Sequence, residues 1–394
     1  MSDAGEVEGV DAAVVAEKVD AARAAVAASD DVDAWLSVGR ETDVSPEPCF
    51  PYLLGFDVVW PTAVVVGPDT AAVVLGRHDA PTARDLGVHD VHPYDESIAG
   101  PLREVLDDVG ADRVALNYDR DDVVADGLSH GLFLQLRDYL PEREFVPASD
   151  LIRRLRGIKS DTEYERIRAA AEETEELLQT ATATWTPDTT EREFADFLHE
   201  RMAERGLDSA WAWDYCPTIH MGDREVGHTL PADHTVDEGQ LLHVDFGIRR
   251  DGYASDIQRL WVRGEASDGL RAAFRDVRAA IDAGHDALDA GAVGHEVDAA
   301  AREELTARGW PAFEHAFGHQ VGRAAHDGGT LLGPEWERYG EAPRHAVRAG
   351  EVYTMELGVA TEWGYVGQEE LVRVTASGTE WVVPPQTDLR TLPE

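Results

Sequence analysis

The sequence predicts two domains, an α/β domain over residues 1–155 and a domain of long helices and two β-hairpins over residues 156–394. The chain has 394 residues, which is more than one ordinary hydrophobic core accommodates. Through about residue 150, short apolar runs alternate with helical patterns, as they do in compact α/β domains. The two hairpins lie further along the chain and carry acidic residues, so the second domain is the candidate for chemistry.

Periodicity and turn residues locate the elements of the first domain. Segments with helical periodicity predict helices over residues 11–29, 98–109 and 127–139. Short apolar runs bounded by Gly, Pro and Asp predict strands at Ala34–Val38, Pro61–Val66, Ala71–Leu75 and Arg113–Asn117. This order of strands and helices is the basis for the α/β prediction.

The second domain is predicted to contain four helices and two hairpins. The helices cover Asp161–Ala183, Glu191–Arg205, Ser267–Ala290 and Glu296–Arg308. The hairpins cover Leu241–Val262 and Glu351–Val374, with turns at Arg249–Gly252 and Thr361–Gly364. We interpret the two helices that follow the first hairpin as amphipathic scaffold and assign them no chemistry.

Two acidic residues share one face of the first hairpin. A turn centred between Arg250 and Asp251 would place Asp245 directly opposite Asp256, with Cβ atoms about 5 Å apart. A register shifted by two residues would make them diagonal neighbours on the same face. Like charges facing each other in a sheet are unfavourable, and a divalent cation between them would remove the repulsion. The alternative is a pair of solvated carboxylates in a chain rich in acids.

Further donors occur in other segments of the second domain. His228 precedes the first hairpin, and His319 lies between Gly318 and a turn of small residues. Glu356 and Glu369 belong to the second hairpin. Mixed nitrogen and oxygen donors of this kind bind divalent ions of the manganese, cobalt or zinc type. Alternation in the second hairpin does not distinguish Glu369 from its neighbour Glu370 as a donor.

This set of residues resembles that of the creatinase/prolidase/methionine aminopeptidase (M24) metallopeptidases, whose catalytic domain has the α+β pita-bread fold. The segment Pro51–Phe56 is similar to a turn in the N-terminal α/β domain of the prolidase and creatinase group. The resemblance selects Glu369 over Glu370 and implies five metal ligands: Asp245, Asp256, His319, Glu356 and Glu369. It implies three further histidines that line the substrate site: His228, His315 and His326.

The same resemblance implies an activity. Two divalent metal ions would be bound, manganese being the first choice and cobalt or zinc the alternatives. The reaction would be hydrolysis of the peptide bond before proline, by a homodimeric dipeptidase or aminopeptidase. Glu356 would transfer a proton to the leaving nitrogen, while His228 and His326 would hydrogen-bond the carbonyl and the tetrahedral intermediate.

Five positions on the substrate side depart from the family pattern. Gln320 replaces a glycine, Asp327 a glutamate, Gly329 a proline, Leu357 a proline and Gly367 an arginine. The five implied ligands are all present, so the departures concern the substrate more than the hydrolytic step. Two other functions therefore stay open: metal-dependent hydrolysis of a small non-peptide C–N bond, and a non-catalytic binding module.

The composition limits partners and location. The formal net charge is −42, from 77 acidic and 35 basic residues. This charge argues against nucleic acid or an anionic membrane as partner, and it is typical of proteins from salt-accumulating halophiles. The two cysteines, Cys49 and Cys216, show no pairing pattern, which indicates free thiols. No signal peptide or transmembrane run is visible, so we expect a cytoplasmic protein.

The charge predicts that stability depends on salt. Because salt screens the repulsion among acidic groups, the thermal midpoint should rise from about 0.1 M to several molar potassium chloride, where the Debye length falls below roughly 3 Å. Differential scanning calorimetry across this range measures the effect. A midpoint that stays constant would contradict the halophilic interpretation.

Overall fold

The computed structural model describes residues 11–42, 46–120, 122–224, 227 and 229–393. The chain divides into two compact units between Ser160 and Asp161. A division at residue 155 would cut the helix Ser149–Gly157, whose Ile152 and Leu155 are buried in the core of the first unit. The boundary therefore lies after this helix.

The first unit alternates strands and helices. Its helices are α1 (Ala12–Ala27), α2 (Phe50–Leu53), α3 (Ala80–Leu86), α4 (Ala99–Val109), α5 (His130–Tyr139) and α6 (Ser149–Gly157). Its strands are β1 (Ala34–Gly39), β2 (Thr62–Val66), β3 (Ala71–Gly76), β4 (Asp90–Tyr94), β5 (Arg113–Leu116) and β6 (Glu144–Pro147). In the described part of the chain these strands form one mixed sheet of order β4-β3-β2-β1-β5-β6.

Both faces of this sheet are covered by helices. Alternate residues of β1 enter two different cores, with Trp35 among the side chains of α1, α3 and α6 and Leu36 among those of α4 and α5. The fold therefore has three layers, as an α/β domain requires. The sequence did not predict β4 and β6, because these strands form the two edges of the sheet and are largely polar or partly exposed.

The second unit contains the two predicted hairpins. Its helices are α7 (Asp161–Ala183), α8 (Glu191–Arg205), α9 (Asp268–Ala287) and α10 (Gly294–Ala307). Its strands are β7 (Asp208–Ser209), β8 (Thr218–Met221), β9 (Leu241–Phe246), β10 (Ile248–Arg250), β11 (Tyr253–Ala254), β12 (Ile257–Val262), β13 (Val352–Thr361), β14 (Gly364–Thr375), β15 (Gly378–Trp381) and β16 (Arg390–Thr391). The main sheet has the order β13-β14-β12-β9-β8.

Two cores hold this sheet. Helices α7 and α8 pack with Val244 and Phe246 of β9, while α9 and α10 pack with Met355 and Leu357 of β13. The helical bounds agree with the predicted ones to within a few residues, and α7 and α8 match at both ends. Within the described ranges, no helix combines the length and the apolar character that crossing a bilayer requires.

The turn of the first hairpin is a two-residue loop. Arg250 pairs with Tyr253, and the residues between them, Asp251 and Gly252, have φ values of 49° and 77°. Two consecutive positive φ values characterise the type I′ turn, which suits Asp-Gly and matches the twist of the strands. The turn is centred between Asp251 and Gly252, one residue beyond the centre assumed from the sequence.

That one-residue difference sets the register of the hairpin. Asp245 pairs with Gln258, and Asp256 lies two residues before Gln258, immediately before β12. Direct pairing of Asp245 with Asp256 is therefore wrong, and the diagonal arrangement is the observed one. Both carboxylates still occupy the same face, because the register moved by an even number of residues.

Gly247 separates β9 from β10 and lies against the backbone of the partner segment. A Cβ atom on Gly247 would lie 2.0 Å from the carbonyl oxygen of Ser255 and 2.9 Å from Cβ of Ala210. Because the nearest obstacle is backbone, no side chain can move aside to admit a larger residue. The strand next to Asp245 therefore tolerates only glycine at this position.

Gly247→Ala should destabilise the second unit by about 2 kcal/mol, lowering Tm by roughly 4–8 °C, because the backbone must shift to relieve the overlap. Thermal unfolding followed by circular dichroism measures this. Gly100→Ala is the control, since Gly100 lies in α4 and no atom of the described residues outside its own helix would lie within 4 Å of the new Cβ. Equal Tm changes in the two variants would contradict the steric argument.

Candidate metal centre

The main sheet aligns three acidic residues and one amide in a single row. Asp245 on β9 pairs with Gln258 on β12, Gln258 pairs with Glu369 on β14, and Glu369 pairs with Glu356 on β13. Paired residues in adjacent strands project to the same face of a sheet. Asp256, two residues from Gln258, adds a fourth carboxylate to that face.

His319 reaches the same face from a segment that runs beside β13. The amide of Thr354 donates to the carbonyl of His319, and that of Glu356 donates to the carbonyl of Phe317. The intervening Gly318 allows this close approach, because a Cβ there would lie 2.0 Å from the carbonyl oxygen of Thr354. The short separation of the two segments therefore brings the imidazole to the carboxylates.

The imidazole of His319 faces three carboxylates through one nitrogen. Its Nε2 lies 3.8 Å from Oδ2 of Asp256, 3.8 Å from Oε1 of Glu356 and 3.9 Å from Oε1 of Glu369. Its Nδ1 lies 3.4 Å from the carbonyl oxygen of Gln320. A proton on Nδ1 would leave Nε2 with a free lone pair for a metal ion.

Burial of four carboxylates together is unfavourable unless a cation is present. Burial raises the pKa of Asp245 to about 7, and burial with repulsion from Asp245 raises the pKa of Glu356 to about 8. Burial, followed by repulsion from neighbouring carboxylates, raises the pKa values of Asp256 and Glu369 well above their usual range. Burial lowers the pKa of His319 to about 3, which keeps the imidazole neutral.

The donors fit a divalent metal ion. Asp256, His319 and Glu369 each bring one ligand atom within 4.8 Å of the other two, in a search of the described residues. Oδ1 of Asp245 is buried and has no hydrogen-bond partner among the described residues, as expected of an atom that binds a cation. Carboxylate oxygens and one neutral imidazole are suitable ligands for manganese, cobalt or zinc.

Glu369 and Glu370 project to opposite faces of β14. Glu369 joins the carboxylate cluster, whereas Glu370 lies 3.0 Å from Nη1 of Arg259 and 3.3 Å from Nη1 of Arg278. Its Oε1 also accepts a hydrogen bond from the amide of Gln386 at 2.7 Å. Two arginines therefore neutralise Glu370, and it is not available to the cluster.

The three histidines that the family resemblance implies for the substrate site lie in different surroundings or outside the described residues. The ring of His326 lies 4.3 Å, centroid to centroid, from that of His319 and is exposed. His228 lies outside the described residues. His315 is exposed and borders a cavity of about 890 Å³, whose other lining residues are Glu314, Trp336, Glu337 and Arg338.

The sequence prediction missed Gln258, which contacts the cluster, and His243, which contacts Gln258. Gln258 donates from Nε2 to Oε2 of Glu356 at 3.2 Å and to Oε2 of Glu369 at 3.1 Å. His243 lies 2.9 Å from Oε1 of Gln258 through its Nε2. The signal was present, because strand alternation places Gln258 on the same face as Asp256 two residues earlier.

Comparison with protein families identifies this arrangement. The profile of Metallopeptidase family M24 matches residues 165–376, more than half of the chain. The profile of the Creatinase/Prolidase N-terminal domain matches residues 6–158. The chain belongs to metallopeptidase family M24. The expected family and the expected pair of domains are thereby confirmed.

M24 relatives match over most of this chain. An uncharacterised peptidase of Bacillus subtilis (strain 168) is 24% identical over 347 residues, covering 86% of this chain and 92% of the relative. An Xaa-Pro dipeptidase of Pyrococcus horikoshii is 27% identical over 269 residues, covering 68% of this chain and 74% of the relative. The similarity therefore extends well beyond the metal-binding segments.

Solved M24 structures share the fold. Dipeptidase PepE from Mycobacterium ulcerans superimposes with a TM-score of 0.76 at 23% identity, covering 98% of this chain and 99% of that one. An Xaa-Pro dipeptidase from Bacillus anthracis gives a TM-score of 0.75 at 22% identity, covering 96% and 100%. These matches confirm the α/β domain followed by a pita-bread catalytic domain.

Metal-free M24 protein should lose stability as pH rises from 7 to 9. Because burial raises the pKa values of the cluster, its carboxyl groups bind more protons folded than unfolded, so deprotonation favours unfolding. Thermal unfolding after removal of metal measures this, and protein reloaded with Mn²⁺ is the control. Parallel pH dependences of the two forms would contradict the argument.

Proposed function

We propose that this chain is a metal-dependent exopeptidase that cleaves the peptide bond before proline. The observation that carries the proposal is the convergence of four carboxylates, two buried and two half-buried, and a neutral imidazole on one face of the sheet. Relatives named Xaa-Pro dipeptidase, such as the one from Pyrococcus furiosus at 28% identity over 265 residues, support the substrate class. Dipeptidase and aminopeptidase specificities are both within the proposal.

The five residues of the cluster would hold two divalent ions, and we favour manganese. Hard carboxylate oxygens dominate the donor set, and a single imidazole completes it. In this assignment Asp256 and Glu369 would be ligands beside His319, whose Nε2 lies 3.8 Å from Oδ2 of Asp256 and 3.9 Å from Oε1 of Glu369. Cobalt and zinc are the alternative metals.

The reaction divides between the cations and the residues around them. Bound cations would supply an acidified water and a polarised scissile carbonyl. Glu356, whose side chain is 23% exposed, is the most open of the carboxylates that face His319, and we assign it proton transfer to the leaving nitrogen. His326, exposed beside His319, would donate a hydrogen bond to the carbonyl oxygen as negative charge develops. His228 is proposed for a similar contact.

Composition and family resemblance support the remaining features of the proposal. We propose a cytoplasmic homodimer that binds neither nucleic acid nor membrane. The net charge of −42 disfavours association with phosphate-rich surfaces, because those partners require clustered basic residues. The homodimer rests on the family resemblance. Analytical ultracentrifugation would determine the oligomeric state directly.

A peptide panel tests the function. Protein loaded with Mn²⁺ should cleave dipeptides or tripeptides with proline after the scissile bond, with higher kcat/KM than matched alanine peptides. Cleavage of proline and alanine peptides at similar kcat/KM would overturn the proline assignment. Release of product from small non-peptide amides alone would favour the second enzymatic candidate.

Asp256→Asn should lower metal content and reduce kcat by at least a hundredfold, because it replaces a negatively charged ligand of the cluster with a neutral amide. Metal analysis by inductively coupled plasma mass spectrometry and peptide cleavage measure the two effects. Asp251→Asn, in the turn of the same hairpin, is the matched control, since asparagine tolerates a positive φ. Full metal content and turnover in Asp256→Asn would show that the ligand assignment is wrong.

A further inference from the structure

Gln258 is placed to act on two glutamates at once. It stands in the row between Asp245 and Glu369, and its Nε2 lies within hydrogen-bond distance of Oε2 of Glu356 and Oε2 of Glu369. A side-chain amide nitrogen carries two hydrogens, so one group can donate to both carboxylates. Each glutamate then has one oxygen fixed by the amide and the other directed toward His319.

His243 determines which way the Gln258 amide points. Because the amide nitrogen of Gln258 faces two acceptors, Oε1 of the same amide faces His243, 2.9 Å away, and accepts a hydrogen bond from Nε2–H of that ring. The ring is 3% exposed, and its Nδ1 has no hydrogen-bond partner in the described structure. A neutral imidazole with its proton on Nε2 therefore fixes the orientation of the amide.

An aromatic residue supports this histidine from the side. The rings of His243 and Tyr365 meet edge to face with centroids 5.3 Å apart. Tyr365 lies across Gly358 and Gly367, where added Cβ atoms would come within 2.5 and 2.4 Å of the tyrosine ring. The two glycines thus leave the space that the tyrosine ring occupies beside His243.

We propose that Gln258 is a positioning residue that holds Glu356 and Glu369 in the orientation required to bind a divalent cation, and that His243 acts through Gln258. The proposal rests on the metal-dependent function proposed above. Hydrogen bonds that orient metal ligands commonly change metal affinity or activity by about 10–100-fold when they are removed. The effect expected here therefore includes metal affinity itself, which a purely packing role would leave unchanged.

Gln258→Leu should weaken Mn²⁺ binding by about 10–100-fold, because it removes the shared donor while keeping side-chain bulk. Isothermal titration of metal-free protein with Mn²⁺ measures the affinity, and thermal unfolding checks the fold. Gln258→Asn, whose amide is too short to reach both glutamates, should show the same direction of change. Affinity equal to wild type in folded Gln258→Leu or Gln258→Asn would overturn the proposal.

Gln368→Leu is the matched control. Gln368 is a buried glutamine adjacent to Glu369, but it projects to the opposite face and donates to the carbonyl of Phe274 at 3.3 Å. Loss of this amide should leave Mn²⁺ affinity within about threefold of wild type, the usual scatter for a residue without contact to the ligands. Equal weakening in both leucine variants would overturn the assignment to Gln258.

Variants of His243 separate its action from general packing. His243→Leu should weaken Mn²⁺ binding, whereas His243→Gln, which retains a donor, should restore most of the affinity. The double variant His243→Leu/Gln258→Leu should be no weaker than Gln258→Leu alone, because the histidine acts through the glutamine. Multiplicative losses in the double variant would overturn this coupling.

Failure of this inference and failure of the proposed function give different results. The inference is measured by the ratio of Mn²⁺ affinities of variant and wild type, which needs no substrate. A wild type that binds Mn²⁺ but cleaves no peptide would overturn the exopeptidase assignment while the affinity ratios still decide the role of Gln258. A wild type without Mn²⁺ affinity would overturn both.

Discussion

The catalytic unit depends on the burial of several negative charges on one face of a sheet. A sheet brings paired residues of neighbouring strands close together, so three registers suffice to assemble Asp245, Glu369 and Glu356. Close backbone contacts at Gly247 and Gly318 place the remaining donors, Asp256 and His319, at the same face. Buried like charges repel strongly, so bound cations explain why these carboxylates lie together on one face.

On the opposite face of β14, arginine side chains balance the negative charge of a buried glutamate. Glu370 is paired with Arg259 and Arg278, and Arg259 also pairs with Glu175 of α7. The guanidinium of Arg259 also donates to the carbonyl of Glu369. Arg259 therefore contacts the backbone of one glutamate and the side chain of the next. Internal arginines keep one glutamate permanently neutralised, while the adjacent glutamate remains available for an exchangeable ion.

Much of this architecture could be predicted from the sequence, because hairpins and long helices follow from local patterns. The helices α7 and α8 and the turn at Thr361–Gly364 match the prediction, since periodicity and turn residues mark their ends. The edge strands β4 and β6 lack a continuous apolar pattern and escaped prediction. The predicted partner of Asp245 lies two residues from the observed partner, because a difference of one residue in the turn centre shifts the strand pairing by two residues.

The distinction between Glu369 and Glu370 needed information from beyond the strand. Both faces of β14 carry polar groups, so alternation alone does not identify the ligand, whereas the positions of His319 and Arg259 do. Gln258 was missed for a related reason. Its role depends on partners in three other strands, and no single segment of sequence records that neighbourhood.

The two lysines, Lys18 and Lys159, have a practical consequence for the native protein. Their side chains are 2% and 3% exposed, and Lys18 donates to the carbonyls of Leu155 and Ile158 at the end of α6. Since the sequence contains no other lysine, the folded surface offers no lysine amine to acylating reagents, amine-specific cross-linkers or enzymes that modify lysine. Labelling or immobilisation of the native protein therefore has to use other side chains, and lysine acylation becomes a reporter of unfolding.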